Sequence, residues 1–204
     1  MIVDVLVPHR GKGKGVVLAH AWWGLNQASR DYGAALMREG FTVGLVDLFE
    51  GETATSIEDA EALSDTDWPV PPDEQLAAAL RELAKSPAVE GKMVSAVGFS
   101  YSGYHLFGLA KRDDLPLDRI VVHYATRDVS RAKVPLLVHF AEIDAFESAE
   151  DMREVAARLV TAGPPNASFT YPGSKHWFAE PDRPEYDADA ARLAFGRTVA
   201  FLRG

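Results

Sequence analysis

The sequence predicts an α/β fold, a mostly parallel central sheet flanked by helices on both faces. Three observations lead there. Short apolar runs rich in β-branched residues recur along the chain, residues 15–19 and 93–99 among them, with the unbroken hydrophobicity of strands covered on both sides. Segments with helical spacing lie between those runs. The alternation persists over all 204 residues without a linker, repeat or low-complexity tract, so one domain over residues 1–204 is expected.

Taken in order, residues 2–7 are β-branched and read as an edge strand, the glycines between 11 and 15 as a turn, and 15–19 as a buried strand. Residues 27–39 carry Tyr32, Ala35 and Leu36 at helical spacing, with Gly40 placed to end that helix. A strand follows over 41–48. The stretch 50–72 is less regular, with a short helix over 57–63 and then Trp68-Pro69-Val70-Pro71-Pro72, which cannot continue one. Asp73 is placed to cap a helix running to about Lys85, whose Leu76, Leu80 and Leu83 share a face. Strands at 93–99, 120–124, 136–141 and 168–171, and helices at 104–110, 152–162 and 187–203, complete the series.

Composition narrows the function. With 47% hydrophobic and 25% charged residues, the chain matches the average of globular proteins. Thirty acidic against 21 basic side chains give a net charge of -9, which argues against nucleic acid or an anionic membrane as partner. The absence of cysteine excludes disulfides, thiolate metal sites and cysteine nucleophiles. No apolar run is long enough to span a membrane, and the N-terminal apolar stretch is too short for a signal peptide, so a cytoplasmic protein is expected. No His or carboxylate pair has a ligand-like spacing, so neither a metal nor a cofactor is expected.

The chemistry points to a serine. Gly98-Phe99-Ser100-Tyr101-Ser102-Gly103 lies where a strand should end and a helix begin, a turn that needs small residues and lifts the serine hydroxyl above the sheet edge. Position 102 is Ser where the simple G-x-S-x-G pattern has Gly, an extra hydroxymethyl that a helical backbone tolerates. Further along, residues 136–144 form an apolar strand ending in two carboxylates. Asp144, beyond the strand end, is the better acid, with Glu142 second. His176 follows the last strand in a glycine-containing loop. Serine, acid and histidine thus occur in a hydrolase order, each after its own strand. Taken singly, Asp144 is also readable as a cap or loop residue, and His176 as a loop histidine held by Tyr171 or Asp182. His9, His105, His123 and His139 compete with His176, but His123 and His139 fall inside strand patterns, where packed core residues are the commoner outcome.

With these residues in view, the chain resembles the dienelactone hydrolase family of α/β-hydrolases, in a serine-nucleophile form. Residues 20–26 (HAWWGLN), 46–49 (VDLF), 98–103 (GFSYSG) and 175–178 (KHWF), with the closing segment 186–202, carry the resemblance over nearly the whole length. Two departures bear on chemistry. The name-giving enzymes use a cysteine where Ser100 stands, and a glutamate that helps activate it where Ala21 stands. Losing both together is coherent, because a hydroxyl is activated by a general base during reaction instead of being stored as an anion. In addition, the family's carboxylate-binding arginine aligns with Glu180, which would repel an anionic dienelactone.

The resemblance implies ester or lactone hydrolysis through an acyl-serine, with catalytic Ser100, Asp144 and His176. Its geometry draws the oxyanion hole from the backbone N–H groups of Trp22 and Tyr101. Trp22, Trp23, Tyr101, Tyr124, Trp177 and Phe178 are expected to wall an apolar pocket, Tyr124 foremost because it ends a strand, although aromatics of this kind also pack cores. Trp68 is placed to cover the mouth. The expected partner is a small-molecule ester or lactone, with the chain a monomer or homodimer. A non-catalytic ligand-binding protein of the same fold, and a thioesterase or peptidase with the same triad, are the alternatives.

Overall fold

The computed structural model describes residues 2–204. Among them, seven strands form one sheet: β1 (Ile2–Leu6), β2 (Gly13–Ala19), β3 (Thr42–Val46), β4 (Val89–Phe99), β5 (Leu117–His123), β6 (Leu136–Ile143) and β7 (Ala167–Lys175). Six helices accompany them: α1 (Gln27–Arg38), α2 (Ile57–Ser64), α3 (Pro72–Leu83), α4 (Tyr101–Leu109), α5 (Ala149–Ala162) and α6 (Ala188–Arg203). The strand order is β1-β3-β2-β4-β5-β6-β7, parallel throughout except for β1, which pairs antiparallel with β3 at the edge.

Alternation along each strand builds two apolar layers. Val17 and Ala19 of β2 face one side, where they pack with Leu76, Leu80 and Leu83 of α3, Leu106 and Phe107 of α4, and Val155 and Leu159 of α5. Val16 and Leu18 face the other, with Leu36 of α1 and Ala194, Val199 and Leu202 of α6. Both faces of the sheet are therefore dry, which explains why its strands read as unbroken apolar runs. Among the described residues, no helix is long and apolar enough to cross a membrane.

Several boundaries differ from expectation. The turn lies earlier than expected, where Gly11 N–H donates to the Pro8 carbonyl at 2.8 Å; Gly13 and Gly15 already belong to β2, and Gly13 N–H donates to the Ala88 carbonyl at 3.0 Å. Asp73 does not cap α3. Pro71 holds the cap position, because proline's fixed φ suits a helix start, and the Asp73 carboxylate instead meets His105 Nδ1 at 2.5 Å. α4 starts at Tyr101 rather than 104, directly after Ser100, so strand and helix meet in a single residue. α5 starts earlier as well, where the Ser148 hydroxyl accepts from Asp151 N–H.

Because β2, β4, β5, β6 and β7 run parallel, their C-terminal ends share one edge. The residues just beyond those ends include Ser100, Tyr124, Asp144 and His176, with the loop after Ala19 alongside.

Candidate active site

Ser100 is the residue between β4 and α4, and its backbone has φ 46° and ψ -107°. A side chain at such a positive φ costs about 1–3 kcal/mol, so the surroundings must hold it there. Two glycines allow the approach. A Cβ on Gly98 would lie 2.9 Å from Gly103 N, and one on Gly103 would lie 2.7 Å from Val122 Cγ1. Ser102 supplies the restraint: its hydroxyl accepts from Phe99 N–H at 2.9 Å and donates to the Ala19 carbonyl at 3.0 Å. That hydroxyl bridges β4 and β2 where the two strands part. The expectation of a merely tolerated serine understated this position.

The serine at a helix N-cap usually turns its oxygen onto its own helix. Ser100 does not. Its Oγ lies 2.9 Å from His176 Nε2. His176, 3% exposed, places Nδ1 2.8 Å from each carboxylate oxygen of Asp144, whose side chain is fully enclosed. The carboxylate accepts, so the proton sits on Nδ1 and Nε2 is left to accept from the serine. Asp144 is itself fixed, its Oδ1 taking the N–H groups of Phe146 at 2.9 Å and Glu147 at 3.0 Å. Glu142, the second candidate, points elsewhere and accepts from Gly173 N–H at 2.8 Å. His123 and His139 are buried in the sheet, hydrogen-bonded by Tyr32, and by Tyr171 and Thr198 respectively.

Two backbone N–H groups belong to segments that meet at the elbow. Tyr101 is the first residue of α4, so its N–H has no helical acceptor. Trp22 lies in the loop after β2, next to the elbow because Ala19 pairs with Gly98. His20 shapes that loop. Its Nε2 accepts from Leu48 N–H at 3.0 Å, which leaves the proton on Nδ1 to donate to the Ala21 carbonyl at 2.5 Å. This buried histidine ties the loop to the end of β3. Only its place in a recognised segment marked it in the sequence.

The aromatic walls need correction. Trp22 is partly exposed, but Trp23, Tyr124, Trp177 and Phe178 are all buried, Tyr124 and Phe178 completely. They form the layer beneath the site, because side chains at strand ends that cover apolar neighbours are drawn inward. Tyr124 packs its ring 4.9 Å from that of His176, and its hydroxyl donates to Glu180 Oε1 at 2.7 Å. Glu180 is likewise buried, and burial pushes its carboxyl up to about 8, against the bond from Tyr124. Its burial and upward shift both weaken the repulsion anticipated from the sequence. The exposed ring at the site is one the sequence did not single out: Phe146, 45% exposed, lies 4.8 Å from His176 and 5.4 Å from Trp22. Trp68 stacks on Phe49, which in turn contacts Tyr101. Beside Asp144, burial and the aspartate's charge push Glu147 up to about 7, while the Thr126 hydroxyl donating to it opposes the shift.

Ser100, Tyr124 and Trp177 all have positive φ, at 46°, 38° and 66°, and all belong to this edge. Among the described residues, no cluster of three or more His, Asp or Glu side chains is arranged to hold a metal ion.

Comparison with known proteins agrees with this architecture. Protein usf of Aquifex pyrophilus is 27% identical, over 94% of this chain and 88% of its own. A dienelactone hydrolase-like promiscuous phosphotriesterase from metagenomic libraries superposes with a TM-score of 0.77 at 21% identity, covering 95% of this chain and 87% of its own. Esterase 2 of Thermogutta terrifontis, phosphoramylated by tabun, gives a TM-score of 0.69 at 12% identity, covering 98% and 87%. These structural likenesses show the α/β-hydrolase fold. The profile of the dienelactone hydrolase family matches residues 3–204, and the chain belongs to that family.

Proposed function

We propose that the protein hydrolyses small, uncharged esters or lactones through an acyl-serine intermediate. The observation that carries this reading is the hydrogen-bonded line from Ser100 Oγ through His176 to an enclosed Asp144, with contacts of 2.9 and 2.8 Å. Ser100 attacks the carbonyl carbon as His176 Nε2 takes its proton. The new negative charge falls on the carbonyl oxygen, to which the N–H groups of Tyr101 and Trp22 donate. His176 then protonates the leaving alkoxide, and the acyl group stays on Ser100. Water attacks that ester with the same histidine as base, and the acid departs. Asp144 holds the imidazole in its working tautomer and stabilises the imidazolium of each step. Loss of one oxyanion donor costs about 3 kcal/mol in comparable sites.

Membership of a hydrolase family supports the reaction class. An acid, Glu180, stands where the family's arginine would meet a substrate carboxylate, which favours uncharged substrates.

Labelling with a small fluorophosphonate, read by intact mass and peptide mapping, tests the reading. One adduct on Ser100, absent from Ser100→Ala, is expected, followed by turnover of neutral esters or lactones. A folded wild type that stays unlabelled would refute it and favour a non-catalytic binding protein.

A further inference from the structure

On the face of the sheet that carries α1 and α6, a surface cleft of about 270 Å³ opens between those helices. Tyr32, Tyr186 and Phe195 line it together with Asp31. A pit adjoins the cleft, sharing Ala28, Tyr32 and Ala179 with it, and ends on Phe99 and Glu180. The pit leaves about 10 Å³ for the centre of a water-sized group to move in, close to the least that holds one such group.

Glu180, one of the residues lining the pit, has a carboxyl only half used. Tyr124 donates to Glu180 Oε1 at 2.7 Å, while no described residue hydrogen-bonds the other oxygen. Glu180 faces Tyr124 from the end of β5, and Asp182 and Arg183 from its own loop. Asp31 of α1 lines the outer cleft, as does Arg192 of α6, which is paired with Asp189 at 2.9 Å. Burial disfavours the charged form of this acid, a cost that an adjacent cation would offset. Around it stand aromatic rings, which attract cations through their faces, on a chain of net charge -9.

We propose that this cleft is a second binding site, taking a primary ammonium with an apolar or aromatic tail. The –NH3+ head, close to water in size, enters the pit against Glu180, and the tail lies among Tyr32, Tyr186 and Phe195. A quaternary ammonium is too wide for the pit. Binding at neutral pH ionises Glu180, so the ammonium keeps its protons and the carboxyl releases one to the buffer.

Calorimetric titration with phenethylammonium at pH 7, in two buffers of different ionisation enthalpy, reads both affinity and proton release. The expected result is one site with nearly one proton released per ligand. Glu180→Gln should weaken binding by about tenfold or more and abolish the proton release. Ser100→Ala should bind as the wild type does. Tetramethylammonium should bind at least about tenfold more weakly than phenethylammonium, since its head cannot enter. Tyr186→Ala, at an exposed ring, should weaken binding severalfold without disturbing the core, so the test holds even if the Glu180 variant misfolds. No binding to the wild type, unchanged affinity in both variants, or loss of binding in Ser100→Ala would overturn the proposal. The last outcome would place the amine at the serine instead.

Discussion

Replacing Ser102 by alanine removes one oxygen atom and two hydrogen bonds. In the wild type that hydroxyl accepts from Phe99 N–H and donates to the Ala19 carbonyl, and the residue is completely buried. Water cannot replace it there, so a strand N–H and a carbonyl each lose a partner. Leaving a buried donor or acceptor unmatched costs about 1–3 kcal/mol, while alanine's better helix propensity in α4 returns only about half a kcal/mol. Taken near the low end for each of the two groups, the net loss should be about 2 kcal/mol. For a chain of this size, that lowers Tm by roughly 4–8 °C. The effect should also reach the nucleophile, because the same bridge holds Ser100 at its positive φ. If half of the loss is strain released at the elbow, about 1 kcal/mol of the preference for the attacking geometry disappears, a fall of roughly fivefold in labelling rate. Thermal unfolding and fluorophosphonate labelling of Ser102→Ala measure the two quantities separately. A Tm within about 1 °C of the wild type together with an unchanged labelling rate would show that the bridge restrains nothing.

Three further perturbations test other parts of the site. Asp144→Asn keeps an oxygen for the N–H groups of Phe146 and Glu147 but no longer fixes the histidine tautomer, so ester turnover or labelling should fall about 10³–10⁴-fold while the far-UV spectrum is unchanged. Tyr124→Phe strips the buried Glu180 of its hydroxyl partner yet keeps the ring against His176. Urea unfolding should therefore show a loss of about 1–3 kcal/mol, with labelling altered less than about threefold. Burial pushes the imidazole of His123 down to about 3, so between pH 6.5 and 3 the unfolded chain takes up a proton that the folded chain refuses. Each pH unit below 6.5 thus costs about 1.4 kcal/mol from this group. Glu180 acts in the opposite sense, staying protonated in the fold while the unfolded carboxyl ionises above its usual range, so its contribution is lost as pH rises toward about 8. Urea midpoints from pH 6.5 to 4.5 should fall less steeply in His123→Leu than in the wild type, and parallel curves would count against the assignment.

The sheet was legible because burial on both faces leaves strands such as 15–19 no reason to alternate, and the helices between them keep their own period. The meeting of Ser100, Asp144 and His176 was legible through order alone: each follows a parallel strand, and parallel strands end on one edge. What escaped the sequence depends on direction rather than residue type. Trp23, Tyr124 and Phe178 looked like pocket walls, yet the fold turns them inward, while Phe146, in an unpatterned loop, is the ring left facing solvent. Ser102 departs from the common motif visibly, but only the parting of β2 and β4 shows what its hydroxyl holds together. Asp73 had a cap's chemistry at a cap's distance, and a proline took the position first.

The three left-handed residues at the sheet edge also bear on how this protein can be stabilised. Glycine at Tyr124 or Trp177 would relieve about a kcal/mol of backbone conflict at each, but loss of the buried ring costs about 3–5 kcal/mol, so the exchange destabilises. Each exchange would also delete a buried ring that backs His176 and free the turn to sample other shapes. Heat tolerance is therefore not to be sought at those positions, whereas proline or charge changes on the remote β1 edge leave these rings in place.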